Sequence, residues 1–256
     1  MGPGLILTAH QPVYLPWLGL FHKVALAERF CIFDVVQYQR KDYNNRNRIK
    51  THTGPIWLSV PVESKNHLHT KICDIKIVQD GWNKKHAKSI RFAYRNAPFF
   101  AEYIDPIEAH LLGRNYTYLT DLNTEMLKLF LNVLDIAVDL SKASDYDFHG
   151  NKSGLVLDMC LNLNAQKYIF GEQGKNYADV ESFCKSGVRP YFQKYVHPAY
   201  RQINGDFVPY MSIIDLLFNV GPDSKATIMR GNAARVDDLE TPDSELVSAA
   251  PQSQER

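Results

Sequence analysis

The feature that most constrains the fold is an apolar run, Leu5 to Ala9, that stops at a stiff His10-Gln11-Pro12 loop and gives way to a helical pattern after Pro16. A short, continuous apolar run of this kind suits a strand covered on both faces. Pro16 sits where a helix can begin without losing a needed N–H, and Leu18, Phe21, Val24 and Ala25 recur at helical spacing. A second apolar run, Phe30 to Val36, follows. Strand, loop, helix and strand in this order predict a parallel crossover with its loop on the carboxyl edge of the sheet. Ligands of open α/β sheets bind at that edge.

The same alternation returns later. Ile136–Leu140, Leu155–Leu163, Gln166–Phe170, Tyr177–Lys185 and Val188–Phe192 read as strand, helix, strand, helix, strand, and Gly171 and Gly174 follow the middle strand. Between the two parts, Trp57–Val62 and Ile72–Val78 predict a hairpin or sheet extension, and residues 82–135 are patterned as three helices separated by short turns. A last helix, Ser212 to Asn219, ends at a Gly221-Pro222 exit. The fold class is therefore α/β: a mainly parallel, Rossmann-like sheet with a helical insertion. It is expected as one domain over 1–230, with a disordered tail over 231–256, where large apolar side chains are few.

Net charge of +1, from 29 basic and 28 acidic residues, argues against a general nucleic-acid or membrane-surface binder. No apolar stretch is long enough to insert in a membrane, and no leader pattern opens the chain. Four scattered cysteines without a C-x-x-C pattern argue against a disulfide framework or zinc site and fit a reducing cytoplasm. His67-x-His69 has the spacing of two ligands on one strand face but no third ligand nearby, so no metal site is expected.

The candidate site gathers at the ends of the first two strands. His10 titrates near neutrality and directly follows a strand, which suits general acid–base work beside Gln11. Tyr14, Trp17, Gly19, His22 and Lys23 surround the start of the first helix, whose free N–H groups and positive potential favour an anion. His10 and His22 are the proton-transfer candidates. Asp34, Gln37, Lys41, Asn45, Arg46 and Arg48 lie at or beyond the second strand, where guanidinium forks and amides suit phosphate or carboxylate. His197, Tyr200 and Gln202 follow the last strand and are expected to face the same crevice. The implied ligand is a small anionic or nucleotide-linked molecule.

Four strings carry a family resemblance: His10-Gln11-Pro12-x-Tyr14-Leu15-Pro16-Trp17-x-Gly19, Asn45-Arg46-Asn47-Arg48-Ile49-Lys50, Trp57-Leu58-x-Val60-Pro61-Val62, and Ser212-Ile213-Ile214-Asp215-Leu216-Leu217-Phe218-Asn219-x-Gly221. On these the chain resembles the WbqC-like protein family of bacteria from about Leu5 to Ile228. Val35-Val36 stands where an acidic residue is expected. The resemblance implies a part in making or decorating an activated sugar for surface polysaccharide, and hence a transferase acting on a nucleotide-linked or amino sugar by acyl or aminoacyl transfer. The β-loop-α-β start also resembles the adenylate-forming nucleotidylyltransferases, which implies a nucleotide as cofactor. Gly19 and His22 are all that matches their His-x-Gly-His pattern. A non-catalytic ligand-binding protein of a glycan pathway is the remaining alternative.

Overall fold

The computed structural model describes residues 4–63 and 69–242. Five strands form one parallel sheet: β1 (Ile6–His10), β2 (Arg29–Ile32), β5 (Asp139–Lys142), β6 (Lys167–Phe170) and β7 (Arg189–Phe192), in the order β5-β2-β1-β6-β7. Strand order reverses between β1 and β6, the switch point at which neighbouring crossovers leave a crevice open. His10 pairs with Ile32 on one side, whereas the last pair toward β6 is Thr8 with Ile169. The end of β1 therefore reaches past its neighbour into that crevice.

Alternation sorts the strand residues to two covered faces. Leu7, Ala9, Cys31, Tyr168 and Phe170 pack under α5 (Ser153–Asn162) and α6 (Val180–Lys185). Phe30 and Ile32 join the larger core with α1 (Leu18–Ala25) and the inserted helices. These are α2 (Trp82–Tyr94), α3 (Phe100–Leu112) and α4 (Leu119–Val133). Two short helices, α7 (Ile213–Val220) and α8 (Ser224–Met229), close that side. No helix among the described residues is long and apolar enough to cross a membrane.

Three expectations need correction. The segment carrying Arg46 and Arg48 is a strand, β3 (Arg46–Thr51), paired antiparallel with β4 (Gly54–Ser59), so Trp57 faces Arg48 rather than a partner in 72–78. Ile72–Asp74 is a 3₁₀ turn, and only a single bridge, Val62 to Ile77, joins the two runs expected to form a hairpin. The expected tail is ordered in its first part: Val236 and Leu239 are buried against Ile169 and Tyr191, and the Phe192 N–H donates to the Glu240 carbonyl. Residues 243–256 and His67 of the His-x-His pair lie outside the described residues.

Candidate functional site

A cavity of about 850 Å³ opens at the switch point, within the range of small-molecule sites. The end of β1 gives His10 and Gln11, the start of α1 gives Trp17, Gly19 and Lys23, and the turn after β6 gives Gly171 to Gly174. Gly19 is there for space: a Cβ would lie 2.9 Å from the Tyr195 ring, which forms part of the wall. Gln193, just past β7, donates to the Gly19 carbonyl at 2.9 Å and to His22 Nδ1 at 2.7 Å, tying the helix start to the neighbouring strand end.

Two basic groups lie at the floor. His10 Nδ1 donates to the Gln11 carbonyl at 2.9 Å. That bond fixes the tautomer, so Nε2 carries the lone pair. The near-neutral titration expected of His10 needs correction: burial first, and the Lys23 charge second, lower its pKa to about 4. Lys23 is buried, and its ammonium donates to the Ala9 carbonyl at 2.9 Å. Among the described residues no carboxylate lies within ion-pair reach of it. Burial lowers its pKa to about 7. A neutral imidazole beside an unneutralised amine can accept a proton and bind an anion.

Trp17 and Tyr210 also border a smaller cavity of about 220 Å³, completed by Tyr43 and Arg48. The rings run in a chain: His10 to Trp17 at 5.3 Å, Trp17 to Tyr43 at 5.3 Å, and Tyr43 to Trp57 at 5.7 Å. The Arg46 and Arg48 guanidinium carbons lie 4.3 and 5.7 Å from the Trp57 ring centre. Arg48 therefore lines the smaller cavity, separated from His10 by an aromatic wall, and Arg46 lies beside it over Trp57 and lines neither cavity.

Of the sequence candidates, His10, Gln11, Trp17, Gly19, Lys23 and His197 line the main cleft, and Arg48 lines the adjoining cavity. Others are engaged elsewhere. Tyr14 is buried with its hydroxyl on His86 at 2.8 Å. His22 is no proton carrier: Nε2 donates to the Ala233 carbonyl and Nδ1 accepts from Gln193. Asp34 accepts from the Ser144 N–H and hydroxyl, which holds the turn after β5. Asn45 donates to the Val60 carbonyl, Gln37 bridges to Lys71, and exposed Lys41 offers its carbonyl to Arg46. Tyr200 and Gln202 both donate to buried Asp215, at 2.8 and 2.7 Å, with Tyr94 as a third donor at 2.7 Å. That network anchors the chain between β7 and α7. His197 keeps its place in the cleft wall, although its Nδ1 donates to the Pro198 carbonyl and its Nε2 accepts from the Tyr210 N–H.

Sequence reasoning missed Lys152, Gln193, Tyr195, Tyr43 and Tyr210. Lys152 precedes α5 and lines the cleft from the far side. The Gly171-Glu172-Gln173-Gly174 turn was legible as a weak glycine-rich signal after a strand, and all four residues line the cleft.

Fold and site together define an α/β protein of Rossmann-like topology with a ligand cleft at its switch point. The profile of the WbqC-like protein family matches residues 11–227, and the chain belongs to that family. It is 35% identical over 215 residues to the uncharacterized protein Rv1507c of Mycobacterium tuberculosis (strain ATCC 25618 / H37Rv), covering 84% of this chain and 93% of that relative. No solved structure matches the chain.

Proposed function

We propose that this protein is a cytoplasmic transferase of surface-polysaccharide (O-antigen) biosynthesis that moves an acyl or aminoacyl group onto a nucleotide-linked or amino sugar. The observation that carries this reading is the pairing, in one cleft at the switch point, of a His10 with its Nε2 lone pair free and a buried Lys23 without a counter-ion among the described residues. An uncompensated buried cation is costly, and an anionic ligand relieves that cost. Burial is the main cause of the low His10 pKa, and the Lys23 charge adds to it. Phosphate or carboxylate near Lys23 offsets that second effect, so an anionic ligand shifts the imidazole upward from its depressed value.

In the transfer step the sugar amine attacks the donor's carbonyl carbon. As the C–N bond forms, His10 Nε2 takes the amine proton. The bond from that carbon to the donor's leaving group then breaks, and the leaving group carries away the electron pair. Lys23 balances the negative charge that develops. Gln11, Trp17 and the glycine-bounded turn at 171–174 hold the reactants in place.

The test offers the purified protein a nucleotide-linked amino sugar with a thioester donor and follows the sugar by mass spectrometry. A sugar heavier by one acyl group is expected, and His10→Ala lowers its rate. ATP turnover with pyrophosphate release and no modified sugar refutes the reading in favour of an adenylate-forming enzyme. Binding without turnover of any pair refutes catalysis altogether.

A further inference from the structure

We infer that the corner formed by Trp17, Tyr43, Arg48 and Tyr210 at the mouth of the cleft is a subsite for a sugar ring carrying a negative charge. This rests on the proposed reading of the cleft and names one part of its substrate. The cavity, about 220 Å³, is smaller than a typical site for a whole drug-sized ligand and suits a single ring with its substituents. Trp17 and Tyr210 border both cavities, so a ring held here is continuous with whatever lies over His10.

Geometry favours a sugar over a base. Trp17 meets Tyr43 at 64°, and Tyr43 meets Trp57 at 55°. Walls at such angles make a corner, whereas a flat base is best sandwiched between near-parallel faces. A puckered ring can lay its C–H face on one aromatic wall and its edge on the other. The rings are also left in water: Trp57 is 43% and Tyr210 58% exposed, beside one another across Arg48.

Charge specifies the substituent. Arg46 and Arg48 are two apart on β3, so they share a face and approach the same Trp57 ring. Two guanidiniums side by side repel. Arg46 and Arg48 form no ion pair among the described residues, and unlike Arg95 or Arg189, which also have none there, they approach one and the same aromatic ring beside a cavity. Among the described residues each side chain hydrogen-bonds only a backbone carbonyl, of Lys41 and Tyr210 respectively, and each Nε is buried without a partner there. A carboxylate or phosphate on the ring supplies both the missing acceptor and the missing charge.

The experiment is ligand-observed NMR on the full chain with methyl β-D-glucuronide, glucose 6-phosphate and neutral methyl β-D-glucoside. Either anion is expected to bind at least about tenfold more tightly than the glucoside, the scale of a charge-assisted hydrogen bond, and the tighter one identifies the anion. Arg48→Gln or Arg46→Gln should erase that preference and leave the glucoside unchanged, and Tyr43→Ala should weaken all three. Equal binding of all three, or no binding of any, overturns the inference. Calorimetry with UDP separates the two readings. Anion preference without UDP binding refutes only the nucleotide-linked reading, and UDP binding without anion preference refutes only the subsite.

Discussion

Replacing Lys23 by Met should make the protein more stable while it disables the cleft. Lys23 is 4% exposed and has no counter-charge among the described residues, and burial lowers its pKa from 10.5 to about 7. The unfolded chain then binds more protons than the folded one between those values, so the folded state gains stability as pH rises through that window. The cost of burying the amine is absent above about pH 10.5 and fully present below about pH 7. At pH 7 a difference of this size amounts to about 4 kcal/mol, and at pH 9 to about 2 kcal/mol. Methionine fills nearly the same volume without a charge. It forfeits the bond to the Ala9 carbonyl, worth about 1–2 kcal/mol. The net gain is then about 2–3 kcal/mol at pH 7, or about 5 °C in melting temperature for a chain of this size, and it shrinks to near zero at pH 9. Calorimetric melts of both proteins at the two pH values are the assay. A Lys23→Met protein that melts lower than the parent at pH 7, or whose advantage does not change with pH, refutes the reasoning.

The other expectations are simpler. His10→Ala should lower turnover by about 10²–10⁴-fold and leave ligand affinity largely intact, as for a lost general base; parallel rate and titration measurements check it. Asp215→Ala strands the Tyr94, Tyr200 and Gln202 donors in a buried site. It should cost at least about 3 kcal/mol in chemical denaturation. Gln193→Leu removes the donor to both His22 Nδ1 and the Gly19 carbonyl. A loss of about 2 kcal/mol is expected, with a changed His22 ring signature by NMR.

The first strands of the parallel sheet were legible because they are largely apolar on both faces, whereas the edge strand β5, Asp139-Leu140-Ser141-Lys142, begins three residues later than the apolar run Ile136–Leu140 that stood for it. Leu7, Ala9, Phe30, Cys31 and Ile32 are all buried and show no polar alternation to confuse the pattern. The His10 and Lys23 part of the cleft was legible for the same reason, since a strand end and a helix start can be placed by their neighbours. The β3–β4 hairpin was hidden by chemistry rather than by weak periodicity. β3 does alternate, but one inward residue is Asn47, which pays for its burial by donating to the Leu15 carbonyl at 2.6 Å and accepting from the Arg48 N–H. A buried asparagine reads as loop. Asp34 was drawn into the site on paper because sequence shows the strand end but not Ser144, 110 residues on, which satisfies the carboxylate. Tyr200 and Gln202 failed likewise through Asp215, which lies beyond any local pattern.

Lys23 and Asp215 are both buried and ionisable, yet only one points to a ligand. Asp215 accepts three hydrogen bonds from Tyr94, Tyr200 and Gln202, so its carboxyl group is satisfied within the fold. Burial still raises its pKa, but the protein has already spent the donors that compensate. Lys23 has one carbonyl partner and a cavity on its other side. Asp215 also does its work at a distance, because the segment it anchors carries His197 and Tyr210 into the cleft wall. The molecule thus satisfies the buried charge that fixes its wall and leaves open the one at its floor. Structural economy alone would have placed an apolar residue at position 23. Retaining a lysine there, next to a histidine whose tautomer is fixed, makes sense if the counter-ion arrives with the ligand. That is why stability should rise as function is lost in the Lys23→Met protein, and why both should fall together in Asp215→Ala.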